Sequence, residues 1–294
     1  MTAPVLRFAP SPNGRLHLGH AYSALLNARV AERSRGTLLL RIEDIDPVRS
    51  RPEHAAAIHA DLAWLGLSFA GETWHQSDRL ATYRAALDRL AAAGLAYPCF
   101  CSRGDIAHQA AMAEGEGRAV PTDPDGAVLY PGTCRALTER DVAVRRASGA
   151  LHAWRLDMRS ALAAAPKPHR FVAFDPSDPS ATLRQVAADP ARWGDALIGR
   201  RDVPTSYHLS VVIDDDAQGI THVVRGEDLR AATDLHALLQ RLLSLATPAY
   251  HHHALIRDAD GRKLAKSRGS AFLAELRAAG VSAADVRQRL GFPR

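Results

Sequence analysis

RFAPSPNGRLHLGHAYSALL (Arg7–Leu26) leads, eleven residues on, to TLLLRIED (Thr37–Asp44), and these two stretches decide the fold. Val5–Phe8 is a short apolar strand candidate. Pro10, Pro12, Gly14 and Gly19 then exclude regular structure up to about His20. A helical pattern follows from about His20 to Arg33, with Leu25, Leu26 and Val30 on one face, and Gly36 stops it. Thr37–Asp44 is a nearly continuous apolar run ending in acids, as expected of a strand buried on both faces of a parallel sheet. Strand, glycine-rich turn, helix and strand make a βαβ unit, and the expected class is α/β with a Rossmann-type parallel sheet.

Two helices are predicted next, from about Pro52 to Leu65, with proline suited to a first turn, and from about Asp78 to Ala93. From Tyr97 to about Pro190 the composition turns to glycine, proline and aspartate, which reads as an insertion of loops and short strands. Tyr207–Asp215 and Gly219–Leu229 are both strand-like, and a helix runs on to about Leu245. The expected organisation is a first half-domain over 1–96, an inserted subdomain over 97–194, a second half-domain over 195–257, and a loop with a short helical C-terminal extension over 258–294. No internal repeat is visible.

The chain has 294 residues, 47% hydrophobic and 23% charged, with a net charge of +5 and a pI near 9.4. That basic excess fits a polyanionic partner and equally a high arginine content. No apolar run approaches a membrane span, and the N-terminus lacks a charged region followed by an apolar one, so a cytoplasmic protein with no membrane partner is expected. Three cysteines argue against a disulfide framework.

In a parallel sheet, ligands bind at the carboxyl ends of the strands. Arg7, Glu43, Asp44, Asp214 and Arg225 are expected at or near those ends. His17 and His20 could be metal ligands, but a zinc site needs a third ligand and the next acid along the chain is Glu32. They could cap a helix. The reading with most support is phosphate handling: a helix N-terminus presents N–H groups and a positive dipole end, and two imidazoles there can donate to a nucleotide α-phosphate. Gly14 and Gly19 allow close approach. A second phosphate-facing element then exists in GRKLAKSRGS (Gly261–Ser270), where Lys263 and Lys266 suit a pyrophosphate leaving group.

HLGH (His17–His20) and KLAKS (Lys263–Ser267) resemble the HIGH and KMSKS signatures of class I aminoacyl-tRNA synthetases. Leu18 stands for isoleucine in the first, Leu264 and Ala265 for methionine and serine in the second, and Asn13 where many relatives have threonine. RFAPSPNGRLHLGH, LLLRIEDIDPVRS and GITHVVRGEDL are similar to the glutamyl branch. The likeness covers about Leu6 to Ser267, and 27 residues follow Ser267. A large anticodon-binding region is therefore not expected. Together with the wording EDIDP and the cysteine pattern, this is most similar to the branch that resembles a glutamyl-tRNA synthetase catalytic core alone. That branch activates L-glutamate with ATP without tRNA and transfers it to the queuosine base in the anticodon of tRNA(Asp).

The resemblance implies roles. His17, Gly19, His20, Lys263 and Lys266 would bind ATP, with His17, His20 and Lys266 catalytic and Mg2+ accompanying the nucleotide. Arg7 and Arg225 would hold the carboxylates of glutamate, which arginine can grip in bidentate fashion. Glu43 would receive the α-ammonium, Ala9 and Ser11 would line the pocket, and the Tyr207 hydroxyl would bond the substrate. Arg7 and Glu43 could instead form a structural ion pair, and Tyr207 could be core.

Cys99, Cys101 and Cys134 lie within 36 residues, and C-x-C with a third cysteine points to structural zinc with one position open. Histidine is the ordinary fourth ligand, with His108 nearby; the family pattern implies Tyr130 instead. His251–His253 sit in a strand, where alternate facing prevents a shared ligand set, and read as packing and surface. A monomer is expected. Competing readings are a truncated glutamyl-tRNA(Glu) synthetase charging a 3′ end, a small-molecule nucleotidyltransferase with the same H-x-G-H, and a non-catalytic tRNA-binding paralogue.

Overall fold

A computed structural model describes residues 3–178, 183–256 and 271–293. The chain opens with β1 (Val5–Phe8), α1 (Leu18–Arg33), β2 (Thr37–Ile42), α2 (Pro52–Trp64), β3 (Trp74–His75) and α3 (Leu80–Ala92). The strands β1, β2 and β3 pair in parallel in that order, with Arg7 opposite Leu39 and Phe8 opposite Leu40. This is the βαβ unit expected from the first 44 residues. Pro52 starts α2, where its missing N–H removes nothing the helix needs.

The middle of the chain supplies β4 (Ala96–Cys99), α4 (Arg103–Gly115), α5 (Glu139–Ala147), β5 (Ala153–Leu156), α6 (Met158–Ala164), β6 (Arg170–Ala173), β7 (Arg184–Ala187) and β8 (Leu197–Gly199). Its strands divide. β4, β5 and β8 form a separate antiparallel sheet, whereas β6 runs parallel beside a strand of the second half of the main sheet, Ala249–His253. The stretch is also more helical than its glycine and proline content suggests, because Ser102, Thr138 and Asp157 each cap a helix start with a side-chain oxygen.

The last part holds α7 (Tyr207–Ala217), β9 (His222–Gly226), α8 (Ala232–Leu243), β10 (Ala249–His253), α9 (Leu273–Ala278) and α10 (Ala283–Arg289). Tyr207–Asp215, expected as a strand, is the greater part of helix α7. The run from Leu209 to Asp215 is buried on every side, so it carries no periodicity that separates a helix from a buried strand. Asp214 and Asp215 therefore enter the site from a helix, not from a strand end.

The sheets β3-β2-β1 and β9-β10-β6-β7 meet where the Thr221 N–H donates to the Val5 carbonyl at 2.9 Å. Asn27 of α1, fully buried, donates to the Val224 carbonyl of β9 at 3.2 Å and ties the first helix across that seam. Leu6, Leu16, Leu25, Val30, Leu40, Ile58 and Leu62 fill the core on this side. Leu273, Val286 and Phe292 of the C-terminal region join them. The Leu273 N–H bonds the Leu16 carbonyl at 2.9 Å, and Phe272 pairs with His17, so the chain end is fastened to the loop before α1. No helix among the described residues is long and apolar enough to cross a membrane.

Candidate active site

Helix α1 begins with a reciprocal cap made by two histidines. The Gly19 N–H donates to His17 Nδ1 at 3.1 Å, and the His17 N–H donates to His20 Nδ1 at 3.2 Å. Both rings thus accept at Nδ1, and a neutral imidazole that accepts there carries its proton on Nε2. The rings lie 3.9 Å apart between centroids. A side chain at position 19 would bring Cβ to 2.9 Å from His17 Cε1, so glycine is what lets the cap close. Capping and phosphate handling, read from sequence as alternatives, are compatible here: one ring nitrogen serves the helix and the other is a donor.

Arg7, Ala9, Ser11, His17, Gly19, His20, Glu43, Tyr207 and Arg225 all border one cavity of about 630 Å³ at the carboxyl ends of β1, β2 and β9. Expected residues as far apart in the chain as Arg7 and Arg225 are therefore brought together. Lys263 and Lys266 lie outside the described residues. Leu255 and Ile256, just before that segment, border the same cavity, and Phe272, just after it, pairs with His17.

Two buried arginine environments flank the cavity. Arg41, fully buried, donates to Asp215 at 2.8 Å, to Glu43 at 3.2 Å and to the Gln218 side chain at 2.8 Å. Arg7 grips the same Asp215 through Nε at 3.0 Å and a second nitrogen at 3.4 Å. Arg7 thus pairs with Asp215, not with Glu43. Below them Asp214 takes Arg79 at 2.7 Å, the Tyr83 hydroxyl at 2.7 Å and Gln76 at 2.9 Å. Burial raises the Asp215 carboxyl, but Arg7 and Arg41 outweigh it and hold the group below its ordinary value. For Glu43 burial wins over Arg41 and Arg7, and its carboxyl is pushed up. A further cation beside Glu43 would complete its charge.

Arg225 is equally buried and has no carboxylate in ion-pair range among the described residues. It donates to Thr233 Oγ1 at 2.7 Å and to the Tyr207 hydroxyl at 3.3 Å, and it contacts His236 Nδ1 at 3.2 Å and His252 Nε2 at 3.5 Å. His236 leans on His208 at 3.2 Å. Burial first, then Arg225, lowers the pKa of His208 to about 4 and of His252 to about 3, and keeps His236 far below its usual range. The arginine rests on neutral groups alone. Tyr207 accepts from it and so keeps its own proton for another acceptor.

Sequence reasoning missed Arg41, Asp215, Thr233, His208 and His236. Arg41 did carry a signal: a lone arginine within an apolar run needs a buried anion. The other four carried none, because α7 was read as a strand and α8 as an ordinary helix.

A second cavity, about 650 Å³, shares Ser11, Glu43 and Tyr207 with the first and extends to Tyr130 and Arg155. Behind it Cys99, Cys101 and Cys134 place their sulfurs within 4.8 Å of one another. Cys101 Sγ is 3.6 Å from Cys134 Sγ and 3.5 Å from the Tyr130 hydroxyl, which also accepts the Cys134 N–H at 2.8 Å. Arg155 Nε lies 3.4 Å from Cys99 Sγ and the Phe100 N–H 3.4 Å from Cys134 Sγ. Burial raises the Cys134 thiol, but hydrogen bonds from Tyr130 and the Phe100 N–H outweigh it and hold it below its ordinary value, whereas burial pushes the Cys101 thiol up to about 11. Three sulfurs and one buried phenol oxygen converge, so the set can hold a metal ion. His108, considered from sequence as a fourth ligand, is exposed and outside the cluster.

Residues 5–284 match the family profile described as tRNA synthetases class I (E and Q), catalytic domain. The chain is 47% identical to the glutamyl-Q tRNA(Asp) synthetase of Rhodobacter capsulatus over 98% of its own length and 99% of that protein's. It is 40% identical to the protein of the same name from Symbiobacterium thermophilum over 97% of this chain and 85% of that one. The crystal structure of a glutamate tRNA ligase from Elizabethkingia meningosepticum, in complex with its amino acid, superposes with a TM-score of 0.73 at 26% identity. That match covers 91% of this chain and 53% of the ligase, so the chain spans about half the ligase's length.

Proposed function

The chain belongs to the class I tRNA synthetases (E and Q), and on that footing we propose that it activates L-glutamate with ATP and passes it to queuosine in the anticodon of tRNA(Asp). One observation carries the amino-acid part: among the described residues Arg225 is a buried guanidinium held only by neutral groups, facing the cavity that also holds the start of α1. A buried cation without an anion is costly, and a substrate carboxylate removes that cost.

Glutamate lies with its side-chain carboxylate on Arg225 and the Tyr207 hydroxyl and its α-ammonium at Glu43. Ala9 and Ser11 line the pocket. Arg7, half-neutralised because Asp215 is shared with Arg41, faces the α-carboxylate. ATP lies against the start of α1, with Leu255 and Ile256 bordering its end of the cavity. An oxygen of the α-carboxylate attacks the α-phosphorus, the bond to the β-phosphate oxygen breaks, and pyrophosphate leaves; Mg2+ accompanying the nucleotide would offset the charge of the phosphates. His17 and His20 donate from Nε2 to the α-phosphate as its charge builds, and Lys263 and Lys266 take the leaving phosphates. No protein nucleophile is needed; positioning and charge stabilisation suffice. In the second step a nucleophile of the queuosine base attacks the carbonyl carbon and AMP leaves.

Cys99, Cys101, Cys134 and Tyr130 would hold a structural zinc ion, whose closed coordination ties β4 to the loop after α4. The protein acts as a cytoplasmic monomer. The reading is supported over a ligase charging tRNA(Glu) by relatives whose whole length this chain nearly spans. The test is glutamate-dependent ATP–pyrophosphate exchange without tRNA, run beside glutamine and aspartate, then transfer to tRNA(Asp) with and without queuosine. Exchange with glutamate alone and transfer only to the modified tRNA are expected; equal transfer to unmodified tRNA would overturn the acceptor assignment.

A further inference from the structure

Beyond Arg200, which also borders the cavity holding Glu43, a third cavity of about 500 Å³ opens on the outer face of the β4-β5-β8 sheet. Arg84 from α3, Arg146 from the end of α5, Arg201, and His152 and Trp154 at β5 form its walls. Phe100 packs on His152 with ring centroids 5.4 Å apart, and His152 on Trp154 at 5.5 Å, so three rings make one aromatic edge. The Arg145 and Arg146 guanidiniums each lie 5.4 Å from a ring of that edge, over Phe100 and Trp154. Leu151 beside them is 67% exposed.

The charge on this face is one-sided. Among the lining residues the one acid is Asp202, and Arg200 already binds it at 2.6 Å. Asp88 lies 3.9 Å from Arg84, and both are exposed. His152 feels the result: burial first, then Arg146, Arg84 and Arg201 hold its protonation below the ordinary range. Surface arginines alone would be unremarkable. Here guanidiniums stand beside half-buried rings that reach the surface only in part, a combination suited to an unpaired base and its flanking phosphates.

We propose that this face receives the looped RNA acceptor. Its phosphates lie on Arg84, Arg146 and Arg201, and an unpaired base stacks against the Phe100–His152–Trp154 edge. The neighbouring base then passes Arg200 toward Glu43. The proposal rests on the RNA-acceptor reading above.

The test uses the full chain and a fluorescent anticodon stem-loop RNA of tRNA(Asp), followed by anisotropy over a salt series. The double variant R84E/R146E is expected to lose at least about ten-fold in affinity. Its plot of log affinity against log salt should flatten by about 1.4, two phosphate contacts at roughly 0.7 each. Its melting temperature and its glutamate-dependent ATP–pyrophosphate exchange should match the parent. The control R33E/R289E changes the same number of exposed charges on α1 and α10 and should bind normally. Unchanged RNA affinity in R84E/R146E overturns the proposal, as does an equal loss in the control, which would reduce the effect to net charge. Absence of exchange in the parent protein would instead strike the functional reading, and RNA binding would still report on this face.

Discussion

Arg41 and Arg225 are both buried beside the same cavity, yet they are held in opposite ways. Arg41 has Asp215 and Glu43 in contact and Asp214 at 3.9 Å. Arg225 has a threonine hydroxyl, a phenol and neutral imidazoles. A buried cation saturated by protein carboxylates is architecture: it fastens β2 to α7. A buried cation resting on neutral acceptors keeps its charge for something that arrives. Breaking a buried ion pair costs stability, whereas deleting an uncompensated charge relieves the fold.

Substitution by methionine separates the two most strongly. Arg41→Met should destabilise the protein by about 3–5 kcal/mol in urea melts, because Asp215 and Glu43 lose their partner. Arg225→Met should melt at or above the parent temperature while glutamate-dependent exchange falls by roughly 10³-fold, the loss of a charge-assisted carboxylate contact of about 4 kcal/mol. Arg225→Met melting well below the parent would erase the distinction.

The histidine pair repeats the contrast within a single side chain. His17→Asn keeps an oxygen to accept the Gly19 N–H but has no distal donor. Exchange should drop by about 10²-fold in kcat with a melting temperature near the parent's, whereas His17→Ala should also lose about 1 kcal/mol of stability.

Acid sharpens the comparison further. His208 and His252 titrate in the folded chain at about 4 and 3, against about 6.5 when unfolded. Below pH 6.5 the unfolded chain therefore binds protons that the folded chain refuses. Stability should be flat above pH 6.5 and fall as pH drops toward 4, by up to about 1.4 kcal/mol per unit for each histidine. Urea midpoints from pH 7.5 to 4.5 read this directly. A constant midpoint would mean that the imidazoles around Arg225 are not held neutral.

The smallest effect belongs to Thr233. Thr233→Val removes the acceptor for one Arg225 nitrogen and a partner of His252. KM for glutamate should rise about five- to ten-fold with kcat nearly unchanged, as expected when a contact only aims a binding group.

Much of this site was legible in the sequence. Arg7, His17, Gly19, His20, Glu43 and Arg225 follow strand ends and a helix start, and local rules place those: proline and glycine stop elements, and apolar runs bury them; Ala9 and Ser11 came from the family likeness. Tyr207 was found by likeness, but its element was misread, since a helix buried all round looks like a buried strand. The division of the 97–194 stretch was hidden for a related reason. Whether Arg170–Ala173 pairs with β5 or with β10 depends on partners far away in the chain.

The sequence by itself determined the βαβ start, the histidine-headed helix and the set of charged residues that had to converge, because these depend on periodicity and on the cost of burying charge. Tertiary structure alone decided which charges cancel. Asp215 reaches Arg7 and Arg41 across more than 170 residues, and among the described residues Arg225 finds only neutral neighbours. Coulomb energy depends on distance in space, and no local pattern records which arginine is left without an anion.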